Sequence, residues 1–339
     1  MVGKKRILIT GASGFIGGFL VDEALRRDYD VWAGVRSGSS REHLYDERIN
    51  FIDLQYNDKH ALTEQMREAK SDFGAWHFVV HNAGITKALN TADFYRINAI
   101  NTQKLIESLA EAGCSPEKFL LMSSLSSYGP VNEYLFRPIT DEDIQQPDSV
   151  YGKSKLEAEL FLKAQTYFPY IILRPTGVYG PGDKDYLMEM KSIKFGFDLK
   201  VGMKKQSISF IYVKDLAVAA FLALENESVR NCSYFVADGD VYTDSEFSGV
   251  VRRLLGKRFV INMRIPLWLC YIICVFSELF GSIFGKTVTL NADKYKILKQ
   301  RNWICDTEPI RRELGFIPKY NLREGLEETI DYCRERGLI

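Results

Sequence analysis

The stretch Ile7-Leu8-Ile9-Thr10-Gly11-Ala12-Ser13-Gly14-Phe15-Ile16-Gly17 decides the fold of this chain. Its aliphatic opening reads as a short buried strand over Arg6–Thr10, and the apolar spacing that follows reads as a helix over 15–27. The turn between them carries three glycines at a spacing suited to a pyrophosphate. Gly11 can take a tight turn, Gly14 lets backbone amides approach phosphate, and Gly17 lets the helix pack closely on the strand, with the helix N-terminus facing the anion. Ser13, Phe15 and Ile16 belong to the same turn and count with the glycines as cofactor-binding candidates. A glycine pattern alone is weak; between a first strand and a first helix it points to a dinucleotide.

The same alternation continues outward. Strands are expected at 31–35, 78–81, 118–123 and 170–174, and helices at 61–69, 97–112 and 151–165. Each helix returns the chain to the sheet edge in the same direction, so the fold class is α/β with a doubly wound parallel sheet. After Arg174 the rhythm loosens into the loop of Pro175, Gly177, Gly180, Pro181 and Gly182, although 215–224 reads as one more returning helix. The expected organisation is a nucleotide-binding domain over 1–175, rejoined by 206–238, and a smaller interleaved C-terminal substrate-binding lobe made of 176–205 and 239–339.

Composition narrows the function. With 339 residues, 46% hydrophobic and 26% charged, the chain buries a large core, and its 44 basic and 44 acidic residues leave no global field for nucleic acid. The six cysteines show no C-x-x-C spacing and read as reduced thiols of a cytoplasmic protein. His77 and His81 are four apart, but in the β-looking run 76–81 they read as core or turn residues, and no metal site is expected. The basic start resembles that of a signal peptide, but the apolar stretch from Ile7 ends after three or four residues, too short for export. Residues 265–284 include thirteen without charge, Ile265 to Ser277, fewer than the roughly 20 a bilayer span needs. The reading favours a buried or substrate-lining helix over one that touches a membrane.

At the end of the second strand, where an NAD site would place a carboxylate on the ribose, the chain reads Val35-Arg36-Ser37. Arg36 can pair with a 2′-phosphate, so NADP(H) is favoured, with NAD(H) the alternative. Asp53-Leu54 and Asn82-Ala83-Gly84 follow later strands, at the carboxyl ends where open α/β sheets bind ligands. Metal-free hydride transfer needs an acid for the oxygen. Tyr151 with Lys155 four residues on has the spacing of a phenol tuned by a cation on one helix face. Tyr295 and Lys299 share that spacing, but only Tyr151 follows a strand running into a hydroxyl-rich turn, Ser123-Ser124-Leu125-Ser126-Ser127-Tyr128-Gly129.

Taken in order over about residues 5–220, the glycine turn, Asp53-Leu54, Ser123-Ser124-x-x-x-Tyr128-Gly129, Tyr151-x-x-x-Lys155 and Leu173-Arg174-Pro175-Thr176-Gly177-Val178-Tyr179-Gly180-Pro181 resemble the extended short-chain dehydrogenase/reductases. The resemblance implies a Rossmann sheet, Tyr151 as general acid/base, Lys155 lowering its pKa and holding the nicotinamide ribose, and Ser124 polarising the substrate oxygen. It also implies cofactor contacts from Pro175 and Val178, substrate contacts from Leu125 and Gly177, and a homodimer. Asn98 matches the asparagine this family places near the site, and a packing role fits it equally.

Three departures bear on the branch. Leu125-Ser126 stand where dehydratases carry Asp-Glu; Gly177 stands where sugar-nucleotide enzymes carry Asn; and Ile208 stands where they carry an arginine for the substrate diphosphate. Lys204 and Lys205 are candidate substitutes for that charge. The pattern is closest to the 3β-hydroxysteroid dehydrogenase/dihydroflavonol reductase branch, which implies a ketone/secondary alcohol oxidoreductase for a fairly apolar substrate, sterol-like, flavonoid-like or a long-chain keto lipid. An NDP-sugar epimerase with tightly bound NAD is the alternative, and a non-catalytic dinucleotide sensor a remote one. Peripheral membrane contact through 265–284 is a further expectation.

Overall fold

A computed structural model describes residues 4–285 and 287–339. Fourteen strands occur among them: β1 (Arg6–Thr10), β2 (Asp30–Gly34), β3 (Ile49–Ile52), β4 (Phe78–His81), β5 (Lys118–Met122), β6 (Tyr170–Pro175), β7 (Gly177–Tyr179), β8 (Phe197–Val201), β9 (Ser207–Ile208), β10 (Phe210–Tyr212), β11 (Cys232–Val236), β12 (Tyr242–Thr243), β13 (Ile261–Ile265) and β14 (Asn302–Trp303). Seven build one parallel sheet in the order β11-β6-β5-β4-β1-β2-β3. Because β1 pairs with β2 on one side and β4 on the other, the connections after β1 and β4 leave in opposite directions and open a crevice.

Helices cover both faces. Strand residues alternate sides, so Ile7, Ile9 and Val80 meet α1 (Phe15–Arg26) and α7 (Val213–Glu225), while Leu8, Val79 and Phe119 meet α2 (Lys59–Phe73), α4 (Asn101–Glu111) and α5 (Val150–Ala164). The expected helix over 97–112 begins earlier, as α3 (Ala92–Phe94) followed by a π-helical turn Tyr95–Ile100. Helix α7 and β11 return to the sheet, β11 pairing with β6.

Most of the remaining elements pack at the carboxyl ends of the strands. They are α6 (Asp185–Lys194), α8 (Asp244–Leu254), α9 (Leu267–Ile283), α10 (Ala292–Leu298) and α12 (Leu322–Glu335), with small sheets β10-β7, β12-β9-β14 and β13-β8, whereas α11 (Glu308–Leu314) packs Ile310 and Leu314 into the sheet core beside β11 and α7. The apolar run 208–213 breaks at Ser209, whose amide donates to Trp303 O at 3.1 Å, and so serves two sheets. One expectation fails outright. Segment 265–284 is neither buried nor substrate-lining: α9 buries only Cys270, Cys274 and Gly281, most of its large apolar side chains are exposed, and it contributes nothing to the cleft described next.

Candidate active site

A cleft of about 1840 Å³ runs along the carboxyl ends of β1, β2, β4, β5 and β6 and on toward the small sheets. Small-molecule sites commonly occupy roughly 300–1,000 Å³, so this one has room for a dinucleotide and a second molecule together. The glycine turn forms one wall. Gly11 has φ +65°, and a Cβ there would stand 2.8 Å from the backbone of Ala83; at Gly17 a Cβ would fall 2.1 Å from Gly11 O. Gly14 caps α1 without a side-chain hydrogen bond, and Ser13, Phe15 and Ile16 line the cleft beside it. This is a cradle that any side chain would fill, fitting a phosphate held by helix N-terminal amides. Gly17 itself is packed rather than lining.

Arg36 is exposed at the end of β2 and lines the cleft. Asp53 accepts the Ser37 amide at 2.8 Å, which ties the loop carrying Arg36 to the end of β3. Leu54, Asn82, Ala83, Gly84, Pro175 and Val178 also line the cleft. Beneath it His81 bridges Thr10 and Thr102, each at 2.9 Å. Thr102 donates its own proton to Asn98 O, so Nε2 of His81 carries the hydrogen toward Thr102 and Nδ1 accepts from Thr10. Burial pushes the imidazole pKa down to about 3, keeping it neutral. Both histidines are thus structural; His77 Nδ1 accepts the Arg6 amide at 2.9 Å.

Strand β5 and helix α5 bring the three proposed catalytic side chains together. Ser124 lies in extended backbone just past β5, accepts the Ser126 amide at 3.2 Å and stands near enough to the Tyr151 phenol to lower its pKa. Lys155, one turn along α5, is buried and donates to Met122 O at 2.9 Å. Burial lowers its pKa to about 8 while Glu159, the next turn on, opposes the shift. The Tyr151 phenol departs from the expected direction: burial raises its pKa, and the neighbouring Ser124 hydroxyl only partly counters this. The physical reason is desolvation, which disfavours a buried phenolate. The phenol is therefore held protonated, as a donor.

Several positioning groups escaped sequence reasoning. Asp293 of α10 accepts the Val150 and Tyr151 amides at 2.6 and 3.1 Å, placing a carboxylate on the α5 N-terminus. Glu159 continues the Tyr151, Lys155 spacing, a signal that was available. Asn98 does not touch the cleft. At 1% exposure it bonds Ile85 N and O at 2.8 and 3.1 Å and Ser154 at 3.0 Å, so it is a positioning residue, not a substrate contact. Tyr295 packs on Tyr271 and Lys299 pairs with Asp148, so that second match forms no site.

Beyond Tyr151 the cleft is lined by Gly177, Leu125, Leu199, Val201, Ile208, Phe210, Leu290 and Leu298 among others. A Cβ at Gly177 would meet the Tyr186 hydroxyl at 2.3 Å, so the glycine admits that phenol. Three of the cations here are already paired, Lys87 and Lys294 with Asp185 at 2.8 and 2.9 Å and buried Lys200 with Asp198, whereas Lys184 is exposed at the cleft wall. Lys204 and Lys205 are exposed and lie outside the lining, so they do not replace the missing arginine.

The chain is similar to known proteins along nearly its whole length. The chain is 28% identical to UDP-glucose 4-epimerase of Vibrio cholerae, over 96% of this chain and 94% of that one. It is 24% identical to the decarboxylating sterol-4-alpha-carboxylate 3-dehydrogenase of Dictyostelium discoideum, over 96% and 99%. The crystal structure of Thermus thermophilus UDP-glucose 4-epimerase in complex with NAD superposes with a TM-score of 0.75 at 22% identity, covering 97% of this chain and 99% of that one. Residues 7–237, more than half of the chain, match the family model for NAD dependent epimerase/dehydratase, and the protein belongs to that family.

Proposed function

We propose that this protein is an NADP(H)-dependent reductase/dehydrogenase interconverting a ketone and a secondary alcohol on a fairly apolar molecule. The observation that carries the reading is the substrate end of the cleft, where Ile208 stands in the arginine's place among other apolar side chains, and Lys87, Lys294 and Lys200 are already ion-paired. A diphosphate would there lose charge-assisted hydrogen bonds each worth roughly 1.5–3 kcal/mol. The lobe of 176–205 and 239–339 holds the substrate. Gly11, Gly14 and the α1 N-terminus hold the pyrophosphate, Arg36 the 2′-phosphate, and Lys155 the nicotinamide ribose. Bound there, the dinucleotide supplies or accepts a hydride.

The side chains of this chain manage the oxygen. Ser124 and Tyr151 hold the carbonyl oxygen between two hydroxyls, and Tyr151, kept protonated by burial, delivers its proton as the alkoxide forms. Lys155 supplies the positive charge that stabilises the phenolate left behind. The test is NADPH consumption by purified protein across steroid, flavonoid and long-chain ketones, with sugar nucleotides assayed for epimerisation in parallel. Ketone-dependent NADPH loss is expected. The similarity to UDP-glucose 4-epimerase favours a second reading, NDP-sugar epimerisation with retained NAD, and epimerisation without net coenzyme loss would establish it instead.

A further inference from the structure

Helix α9 turns outward the residues that a helix on a water-soluble surface would bury. Trp268, Tyr271, Ile272, Phe276, Leu279 and Phe280 recur at i, i+3, i+4, i+8, i+11 and i+12, forming one stripe, and are 40–68% exposed. The stripe continues onto the ribbon β8–β13. Its register sets Phe197 beside Ile261 and Leu199 beside Met263, all exposed, while Asp198 and Lys200 between them turn inward and are buried. Apolar outside and charged inside inverts the usual alternation of a solvated sheet. Gly202, whose amide donates to Ile265 O at 2.8 Å, links the ribbon to the start of α9, so the two surfaces are continuous.

We propose that this face docks flat on a lipid bilayer carrying anionic headgroups. Exposed Lys194 and Arg258 stand where the two ribbon strands begin, and exposed Lys204 and Lys205 follow its other end, whereas the one carboxylate of α9, Glu278, is engaged by the Ala292 amide at 2.9 Å. An apolar face rimmed by cations, in a chain with no net charge, complements an anionic interface and not a second copy of itself, whose cations would meet these. The 17 residues of α9 extend about 25 Å, short of a hydrocarbon core of about 30 Å, and no helix among the described residues is long and apolar enough to cross. Its tryptophan and tyrosine suit the headgroup level. Leu199 belongs to both this face and the cleft lining, so docking brings the apolar end of the cleft to the lipid. The docking stands apart from the reaction proposed above, and the two fail in separate assays.

The experiment is co-sedimentation of the full chain with vesicles of phosphatidylcholine containing about a third phosphatidylglycerol, against phosphatidylcholine alone. Binding is expected to the anionic vesicles and to weaken in 1 M salt. Replacing Lys204 and Lys205 by Ala should lower it on the order of fivefold for each cation. Phe276→Asp with Phe280→Asp should abolish it while leaving NADPH binding and the thermal unfolding midpoint unchanged. Absence of vesicle binding by the wild type would overturn the proposal, as would a solution dimer that the Phe276/Phe280 variant splits into monomers without any effect on vesicles.

Discussion

Arg174 of β6 and Glu159 of α5, both fully buried, face each other with guanidinium Nε and Nη2 lying 3.0 and 2.8 Å from one carboxylate oxygen. Each shifts the other toward its charged form, Glu159 down and Arg174 up, against the cost of burial. Ser123 and Gln145 also donate to Glu159, and Asp141 takes the other arm of Arg174. The pair ties β6 to α5, the helix that carries Tyr151 and Lys155. Glu159→Ala leaves the guanidinium without its main partner and should lower unfolding free energy by about 3–5 kcal/mol. Urea denaturation measures it; a loss below about 1 kcal/mol would show that the pair does not hold the site.

Tyr151→Phe removes the proton donor and preserves the ring that packs against Phe94 at 6.3 Å. Turnover should fall by about 10²–10⁴ with NADPH affinity nearly unchanged. Fluorescence titration beside steady-state rates separates the two, and a fully active variant would end the proposed mechanism.

The pH profile should carry the Lys155 signature. Burial lowers its pKa to about 8, so the ammonium is present at neutral pH and is lost as pH rises past 8. The phenol, shifted up, keeps its proton longer. The kcat/KM for reduction should therefore show an alkaline limb near pH 8; a limb above 10 would assign it elsewhere.

His81 should contribute to acid sensitivity. Its folded pKa of about 3 lies below the ordinary 6.5, so between these values the unfolded chain binds the extra proton. Stability from this group is complete above about 6.5 and declines as pH falls toward 3. A His81→Gln variant should be less stable at pH 7 yet show a flatter decline between pH 6.5 and 4 in thermal melts. An unchanged slope would exclude the histidine as the cause.

Arg36→Ala should reverse or erase the coenzyme preference. Losing a charge-assisted contact of roughly 1.5–3 kcal/mol weakens NADPH by about 10–150-fold and spares NADH. Dissociation constants for both coenzymes decide it, and equal losses for the two would remove Arg36 from the 2′-phosphate.

The sequence by itself determined the parallel sheet, the glycine turn and the Ser124, Tyr151, Lys155 set, because these depend on short-range periodicity and fixed local spacing. Gly11 with its left-handed φ and Gly17 against Gly11 O are local constraints that composition within eight residues expresses. Tertiary structure alone decided which side chains face the cleft. Asn98 and Lys204 carry the right chemistry in the chain, yet one is locked to Ile85 and Ser154 and the other points to solvent. Asp293 reaches α5 from 142 positions downstream, and the direction of the Tyr151 shift follows from burial by groups distant in sequence. The exposure of α9 belongs here too. An apolar run states that a helix avoids water, and only its packing reveals whether the protein itself provides the shelter.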